Sequence, residues 1–396
     1  MIDVVAAGHL CVDIIPTIPR ASAEARTFLA PGRLSEVGPL MFSTGGSVSN
    51  TGLALYRLGL DVCLLARVGG DRIGALIRDL LAAQDPRLVE GLTIAPDEAS
   101  SYTIVINPPG VDRTFLHCPG TNHTFGLEDA RPELLRQARL FHLGYPPLMR
   151  RLYSEQGEEL AAIFELARES GATTSLDMAM PDPAGPSGQV DWRAVLAHVL
   201  PQVDLFVPSV EETLFMLRRG RFETLSREAG EGLLDALSAE EIASLAEEAL
   251  AFGARIVLLK LGHRGLYLRT APGLAKGRTL GRGGPARLDV WDGRELWAPP
   301  FAVEVVGTTG AGDAAIAGFL GGVLRGATPE EAVTWAAAVG ACCVEAADAT
   351  SGVRTWKETQ SRVRAGWMRR PIEVAGRGWF WDDNVQLWRG PAEAMS

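Results

Sequence analysis

In VVGTTGAGDAAIAGFLGG, residues 305–322, an aspartate closes a glycine-rich turn. A β-branched run breaks on the turn, and an alanine-rich helix is predicted to follow at once. Backbone N–H groups at such a helix start, with no side chains in the way, suit an anion. Asp313 nevertheless puts a carboxylate where a phosphate would be welcome. Three readings compete. An ordinary strand-to-helix turn needs no ligand. A dinucleotide fingerprint fits Gly310-x-Gly312-x-x-Ala315 after a strand. Against it, Asp313 would stand beside the pyrophosphate, and the turn falls late in the sequence, leaving little room for two βαβ halves. The third reading uses both features. The N–H groups of Ala311, Gly312 and Asp313 hold a transferring phosphoryl group, and the Asp313 carboxylate accepts the proton of an attacking hydroxyl. No Walker G-x-x-x-x-G-K-[ST] offers a rival phosphate loop. The chemistry implied is phosphoryl transfer to a sugar-like alcohol.

Such a turn needs a scaffold, and the periodicity supplies one. DVVAAG reads as a buried strand, SVSNTGLALYRLG as a helix with Gly59 as C-cap, DVCLLARVG as a strand and IGALIRDLLAAQ as a helix. ELAAIFELARESG then leads into the strand TTSLDM, and WRAVLAHVLP, DLFVPS, AEEIASLAEEALAFG and RIVLLKLG continue the alternation. This pattern predicts an α/β fold with a mostly parallel sheet covered on both faces. Two stretches break it. DIIPTIP with SEVGPLMFST, and SYTIVINPPGVDRTFLHCPG, read as antiparallel β-ribbon that could pair into one small sheet, a lid over a site. Residues 270–290, rich in glycine and arginine, are expected to form a mobile surface excursion. The tail from about Ser361 carries Trp367, Trp379, Trp381 and Trp388, which either pack it onto its own domain or form a subunit interface.

Composition narrows the partners. The 396 residues are 47% hydrophobic and 22% charged, enough for a large core, and the formal net charge of −10 disfavours nucleic acid or an anionic membrane. The five cysteines form no C-x-x-C pair, and the histidines, His9, His117 and His142 among them, show no ligand spacing. MIDVVAAGHL has no basic leader, so a soluble cytoplasmic protein is expected.

GTTGAGDAAIAGF resembles the C-terminal signature of the ribokinase-like (PfkB) carbohydrate kinases, usually D-T-T-G-A-G-D. GGSVSNTGLALYRLG resembles their N-terminal signature, RVGGDRIG the G-x-D-x-x-G segment after it, PSVEE the N-x-x-E motif, and LKLGHRGLYL the K-x-G-x-x-G nucleotide strand. The pieces fall in family order from about residue 3 to 357. The resemblance implies a three-layer sandwich with a mostly parallel central sheet and a small β lid. The main domain would take residues 1–12, 46–99 and 121–360, the lid 13–45 and 100–120, and the Trp-rich tail 361–396.

By resemblance, Asp313 is the general base and Gly310, Ala311 and Gly312 form the anion hole. Asp13 accepts substrate hydroxyls, Gly45 and Gly46 let the sugar approach the backbone, and Asn50 contacts a hydroxyl. Lys260, Gly262, Gly265 and Thr308 border the nucleotide. Glu212 positions Mg²⁺ through water, while Glu211 is read as a solvated helix acid. Two positions depart from the pattern: Ser209 replaces the asparagine of N-x-x-E, and Gly307 replaces the aspartate that opens the C-terminal signature. Members with that aspartate often bind a monovalent cation nearby, so such an ion is left open here. The implied activity is an ATP-dependent, Mg²⁺-requiring kinase for a sugar or sugar-like alcohol, working as a homodimer through its lid. A nucleoside kinase of the same fold and a non-catalytic sugar-binding protein on this scaffold remain as alternatives.

Overall fold

The computed structural model describes residues 1–18, 31, 32, 34–108, 114–277 and 279–395. The chain starts on β1 (Ile2–Gly8), bends at His9–Leu10 and continues as β2 (Cys11–Pro16). Asp13 therefore lies on the second strand. The following elements are β3 (Leu40–Gly45), α1 (Ser47–Arg57), β4 (Val62–Leu65), β5 (Arg67–Gly69), β6 (Thr93–Ala95), β7 (Tyr102–Ile106), β8 (Thr114–Cys118), β9 (Ala138–Gly144), β10 (Thr173–Asp177), β11 (Leu205–Phe206), α2 (Val210–Leu217), β12 (Ile256–Lys260), β13 (Leu266–Thr270), β14 (Glu295–Ala298), α3 (Ala311–Leu324), α4 (Pro329–Cys343), β15 (Phe380–Asp382) and β16 (Leu387–Arg389). Other helices lie between these elements.

Ten strands form the main sheet in the order β15-β16-β14-β13-β12-β11-β10-β9-β1-β4. The run from β12 to β4 is parallel, and β13 to β16 add an antiparallel flank. Alternation divides its side chains between two cores. Val4 and Ala6 of β1 pack with α1, α3 and α4 on one face, and Val5 and Ala7 with Phe141, Phe164 and Ile242 on the other. Both faces are therefore dry, as a parallel sheet requires. The alternating α/β pattern is as expected, while Leu58 is the C-cap of α1 and Gly59, expected there, follows it with φ +83° and donates its N–H to Tyr56 O at 2.9 Å.

The small sheet has the order β3-β2-β7-β8. Its outer pairs are antiparallel, but β2 and β7 run parallel, which the ribbon reading missed. The single strand expected over residues 61–69 is split. β4 stays in the main sheet, while β5 leaves it to pair with β6, because Arg67 turns to the carboxylates of Glu98 and Asp129.

The described residues of 270–290, expected as a surface excursion, pack onto the main domain. Leu274 and Leu280 are buried, and Arg282 donates to the carbonyls of Ala138 and Ser170, both at 2.7 Å. The excursion is tied down by an arginine that satisfies chain-end carbonyls. The C-terminal tryptophans pack on the chain itself. β16 pairs with β14, Trp379 meets Tyr267 and Trp297, and Trp367 stacks on Phe301 at 4.5 Å.

Candidate functional site

The C-terminal ends of β1, β9, β10 and β12 open on one edge of the sheet, where side chains escape the ladder and can converge. α3 points its N-terminus at the same edge. Gly310 caps it in the left-handed region, φ +73°, and a Cβ there would lie 2.5 Å from Ala349 O. Gly310→Ala is expected to cost about 1–3 kcal/mol from backbone strain and this clash, read as a lower urea unfolding midpoint than wild type. The first-turn N–H groups of a helix have no intrahelical acceptors. Of the three expected to hold an anion, that of Ala311 closes on Thr308 O at 3.3 Å, while Gly312 and Asp313 follow in the open turn.

Asp313 is buried in that turn. Its Oδ2 accepts from Tyr145 Oη at 2.8 Å and Asn50 Nδ2 at 3.1 Å, and its Oδ1 accepts from Thr51 Oγ1 at 3.0 Å. Burial raises its carboxyl above the ordinary range, and Lys260 followed by these three donors pulls it back. Asn50, expected on a substrate hydroxyl, donates its Nδ2 to Asp313, while its Oδ1 is buried without a partner.

Lys260 ends β12 and Asp177 ends β10. Their Nζ and Oδ1 lie 2.6 Å apart. Burial alone would lower the ammonium, but Asp177, Glu212 and Asp313 leave it raised. Burial pushes Asp177 up, and Lys260 opposes the shift. A methyl group added at Gly312 would sit 3.7 Å from Lys260 Nζ, so this cation stands beside the start of α3. A helix N-terminus and a lysine, the latter paired with Asp177, thus stand side by side, an arrangement that can attract an anion.

Glu212 lies in the first turn of α2. Its Oε2 accepts from Ser209 N at 2.7 Å, and Ser209 Oγ accepts from Glu212 N at 3.2 Å. The serine that replaces the expected asparagine is thus one half of a capping box. Burial raises Glu212, with Lys260 the main opposing charge. Glu211 is not a solvated acid: it is half-buried, lines the same cavity and is likewise raised by burial.

Asp313, Gly310, Ala311, Gly312, Thr308, Lys260, Gly262, Gly265 and Glu212 border one cavity of about 720 Å³, together with Tyr145. Asp13, Gly45, Gly46 and Asn50 lie next to it on the side of the small sheet, joined through the Asn50–Asp313 bond. The Gly45–Gly46 pair permits that closeness. A Cβ at Gly45 would strike the Asp13 carboxylate at 2.4 Å, and Gly46, φ +87°, lies against His9. Burial pushes Asp13 up to about 6, with hydrogen bonds from Cys11 and Thr103 opposing. Thr103 Oγ1 is 3.0 Å from His117 Nδ1, and His117 Nε2 is 3.3 Å from His9 Nε2. The two histidines given no chemistry therefore join the end of β1 to β8, and burial keeps both below the usual histidine range. At Gly307, a Cβ would lie 2.9 Å from Ala346 O and 3.0 Å from Ala347 O.

Sequence reading missed Tyr145, Thr51, Asp177, His9 and His117. Asp177 had a usable signal, an acid immediately after the apolar strand TTSL. The backbone turn that swings Tyr145 inward left no such mark.

The chain matches the model of the pfkB family carbohydrate kinases over residues 1–356. It belongs to the PfkB family of carbohydrate kinases. Among curated relatives, it is 28% identical over 346 residues to the ATP-dependent ribose-1-phosphate kinase of Halopiger xanaduensis, covering 86% of this chain and 91% of that protein. It is 26% identical to a sugar kinase of Archaeoglobus fulgidus, covering 76% of this chain and 98% of the other. Among solved structures, the ribokinase of Arabidopsis thaliana complexed with ribose and ATP superposes with TM-score 0.66 at 19% identity, covering 91% of this chain and 98% of that one. That likeness carries the fold: this PfkB-family chain has the ribokinase-like α/β architecture, and its four-stranded sheet fits a lid. Among the described residues, no helix is long and apolar enough to cross a membrane, and no group of three His, Cys, Asp or Glu could hold a metal.

Proposed function

We propose that this PfkB kinase transfers the γ-phosphoryl group of ATP to a hydroxyl of a sugar or sugar-like alcohol, with Asp313 as general base. The observation that supports this most is the position of Asp313: a buried carboxylate in the first turn of α3, facing the cavity beside Lys260. The N–H groups at the start of α3 and the Lys260 ammonium meet the charge that grows on the phosphoryl oxygens. Gly262, Gly265 and Thr308 border the rest of the nucleotide. The Asp313 carboxylate takes the proton of the attacking hydroxyl, which makes a neutral alcohol a competent nucleophile. Asp13 orients the acceptor, Gly45 and Gly46 let it approach, and the small sheet of β2, β3, β7 and β8 closes over it to keep water out.

Mg²⁺ suits the donor set, since Glu212 and Asp177 offer hard carboxylate oxygens and the Asp177 Oδ2 is buried without a partner. Glu212 would hold the ion through water. When bound, it would neutralise charge on the phosphates. A monovalent cation stays outside the proposal: the carboxylate that resemblance ties to it is replaced by Gly307. The working form proposed is a cytoplasmic homodimer joined through the lid, whose edges β3 and β8 expose Met41, Phe42, Phe115 and Leu116.

An ADP-release assay across D-ribose, D-fructose, 2-keto-3-deoxygluconate, ribose 1-phosphate and nucleosides tests the reading. Turnover on one of the sugars supports it. Turnover on nucleosides alone makes the chain a nucleoside kinase, and ADP release with none of them favours a binding protein. The pH dependence follows from Asp13. Its ionised form accepts hydroxyl hydrogens, and its pKa is raised to about 6, so acceptor KM should be lowest above that pH and rise as pH falls through it. KM measured between pH 5 and 8 checks the sign.

A further inference from the structure

Tyr145 follows β9 with φ +66°, in the left-handed region that a bulky residue ahead of a proline adopts only under strain. That turn brings its hydroxyl to 2.8 Å from Asp313 Oδ2. A carboxylate offers about four acceptor positions, two on each oxygen. Tyr145 and Asn50 fill both on Oδ2, and Thr51 takes one on Oδ1. The three donors differ in how they are held. Asn50 and Thr51 are buried and fixed on α1. Tyr145 is half-buried in the cavity wall, so it alone can leave without disturbing that helix.

We infer that the Tyr145 hydroxyl holds the acceptor's place on Asp313 and cedes it to the substrate hydroxyl. The inference rests on Asp313 being the base. A phenol O–H and a sugar O–H can both donate to the same oxygen, the phenol being the stronger donor, so the sugar takes the place only with the help of its other contacts. The Asn50 Oδ1, buried without a partner, gives a second acceptor hydroxyl somewhere to donate. Four other groups face Asp313 or its neighbours from surrounding elements: Lys260 on β12, Asp177 on β10, Glu212 on α2 and Cys343 on α4. None donates in the place Tyr145 holds.

The occupied position guards against waste. In futile hydrolysis, a water oxygen bonds to the γ-phosphorus, the bond from phosphorus to the bridging oxygen of ADP breaks, and the water proton passes to Asp313. With Tyr145 on Oδ2, water loses that oxygen and is left the single open position on Oδ1, whereas a ligand bound well enough to displace the phenol gains Oδ2.

Tyr145→Phe removes the oxygen and keeps the ring. ADP release from Mg·ATP without any acceptor should rise about tenfold, the worth of one hydrogen bond to a charged group. KM for D-ribose or D-fructose, whichever wild type turns over faster, should fall several-fold with kcat held within about twofold. If Tyr145 only positions the base, kcat falls, KM stays and the acceptor-free rate does not rise; that result overturns the inference. Should Tyr145→Phe fold poorly, Tyr145→Leu must show the same acceptor-free leak. Asp313→Asn in the same assays separates the two levels. Near-normal turnover there removes the base itself, whereas loss of turnover beside an unchanged Tyr145→Phe removes only this role of the tyrosine.

Discussion

Asp313→Asn is expected to lower kcat by about a thousandfold, within the range general-base catalysis supplies, while ATP binds with unchanged affinity. Asparagine keeps the shape of the side chain and can accept from Thr51 or Tyr145, so the first turn of α3 should stay folded. It cannot take a proton at neutral pH. The nucleotide's partners in this account, Lys260 and the backbone N–H groups, are untouched. Single-turnover rates give the chemical step, and calorimetric titration with ATP gives the affinity. A loss in affinity equal to the loss in rate would make Asp313 part of the nucleotide pocket rather than the base. Wild-type kcat should itself fall with acid. Burial sets the Asp313 carboxyl above the ordinary range, so the ionised base is lost at a higher pH than for an exposed aspartate.

Lys260→Met is expected to have the largest effect on stability. It strips the counter-charge from Asp177, which has no exposed side-chain surface, and breaking a buried pair in this way typically costs about 3–5 kcal/mol. The loss should appear as a lower midpoint in urea with a similar slope. The sign on activity follows from the same charge. Lys260 is the largest influence lowering the carboxyls of Asp177, Glu212 and Asp313. Without it all three rise, and the acid limb of kcat moves toward neutral pH. Replacing both partners, Lys260→Met with Asp177→Leu, should recover part of the stability because the Asp177 carboxylate is no longer left buried and unpaired. Activity should not return, since the cation beside Gly312 is gone.

The parts of this molecule that depend on local pattern were legible in its sequence. Buried strands alternating with amphipathic helices gave the sheet, and the turn at Gly310 with the acid after it gave the cavity's centre. What escaped depends on long-range geometry. Asn50 was legible as a site residue by resemblance, but not its bond to Asp313, which joins positions 263 apart along the chain. Tyr145 is an ordinary tyrosine before two prolines until its positive φ turns it inward. His9 and His117 lack ligand spacing because strands β1 and β8, far apart in sequence, bring them together. The excursion at 270–290 read as mobile because composition cannot show that Arg282 would find several carbonyls to cap.

A crystal structure with a non-hydrolysable ATP analogue, Mg²⁺ and the best acceptor sugar tests the central claim most directly. γ-Phosphate oxygens are expected on the N–H groups of Gly312 and Asp313, with the acceptor hydroxyl within hydrogen-bonding reach of the Asp313 carboxylate. A γ-phosphate bound elsewhere, or an acceptor separated from Asp313 by protein, would contradict it.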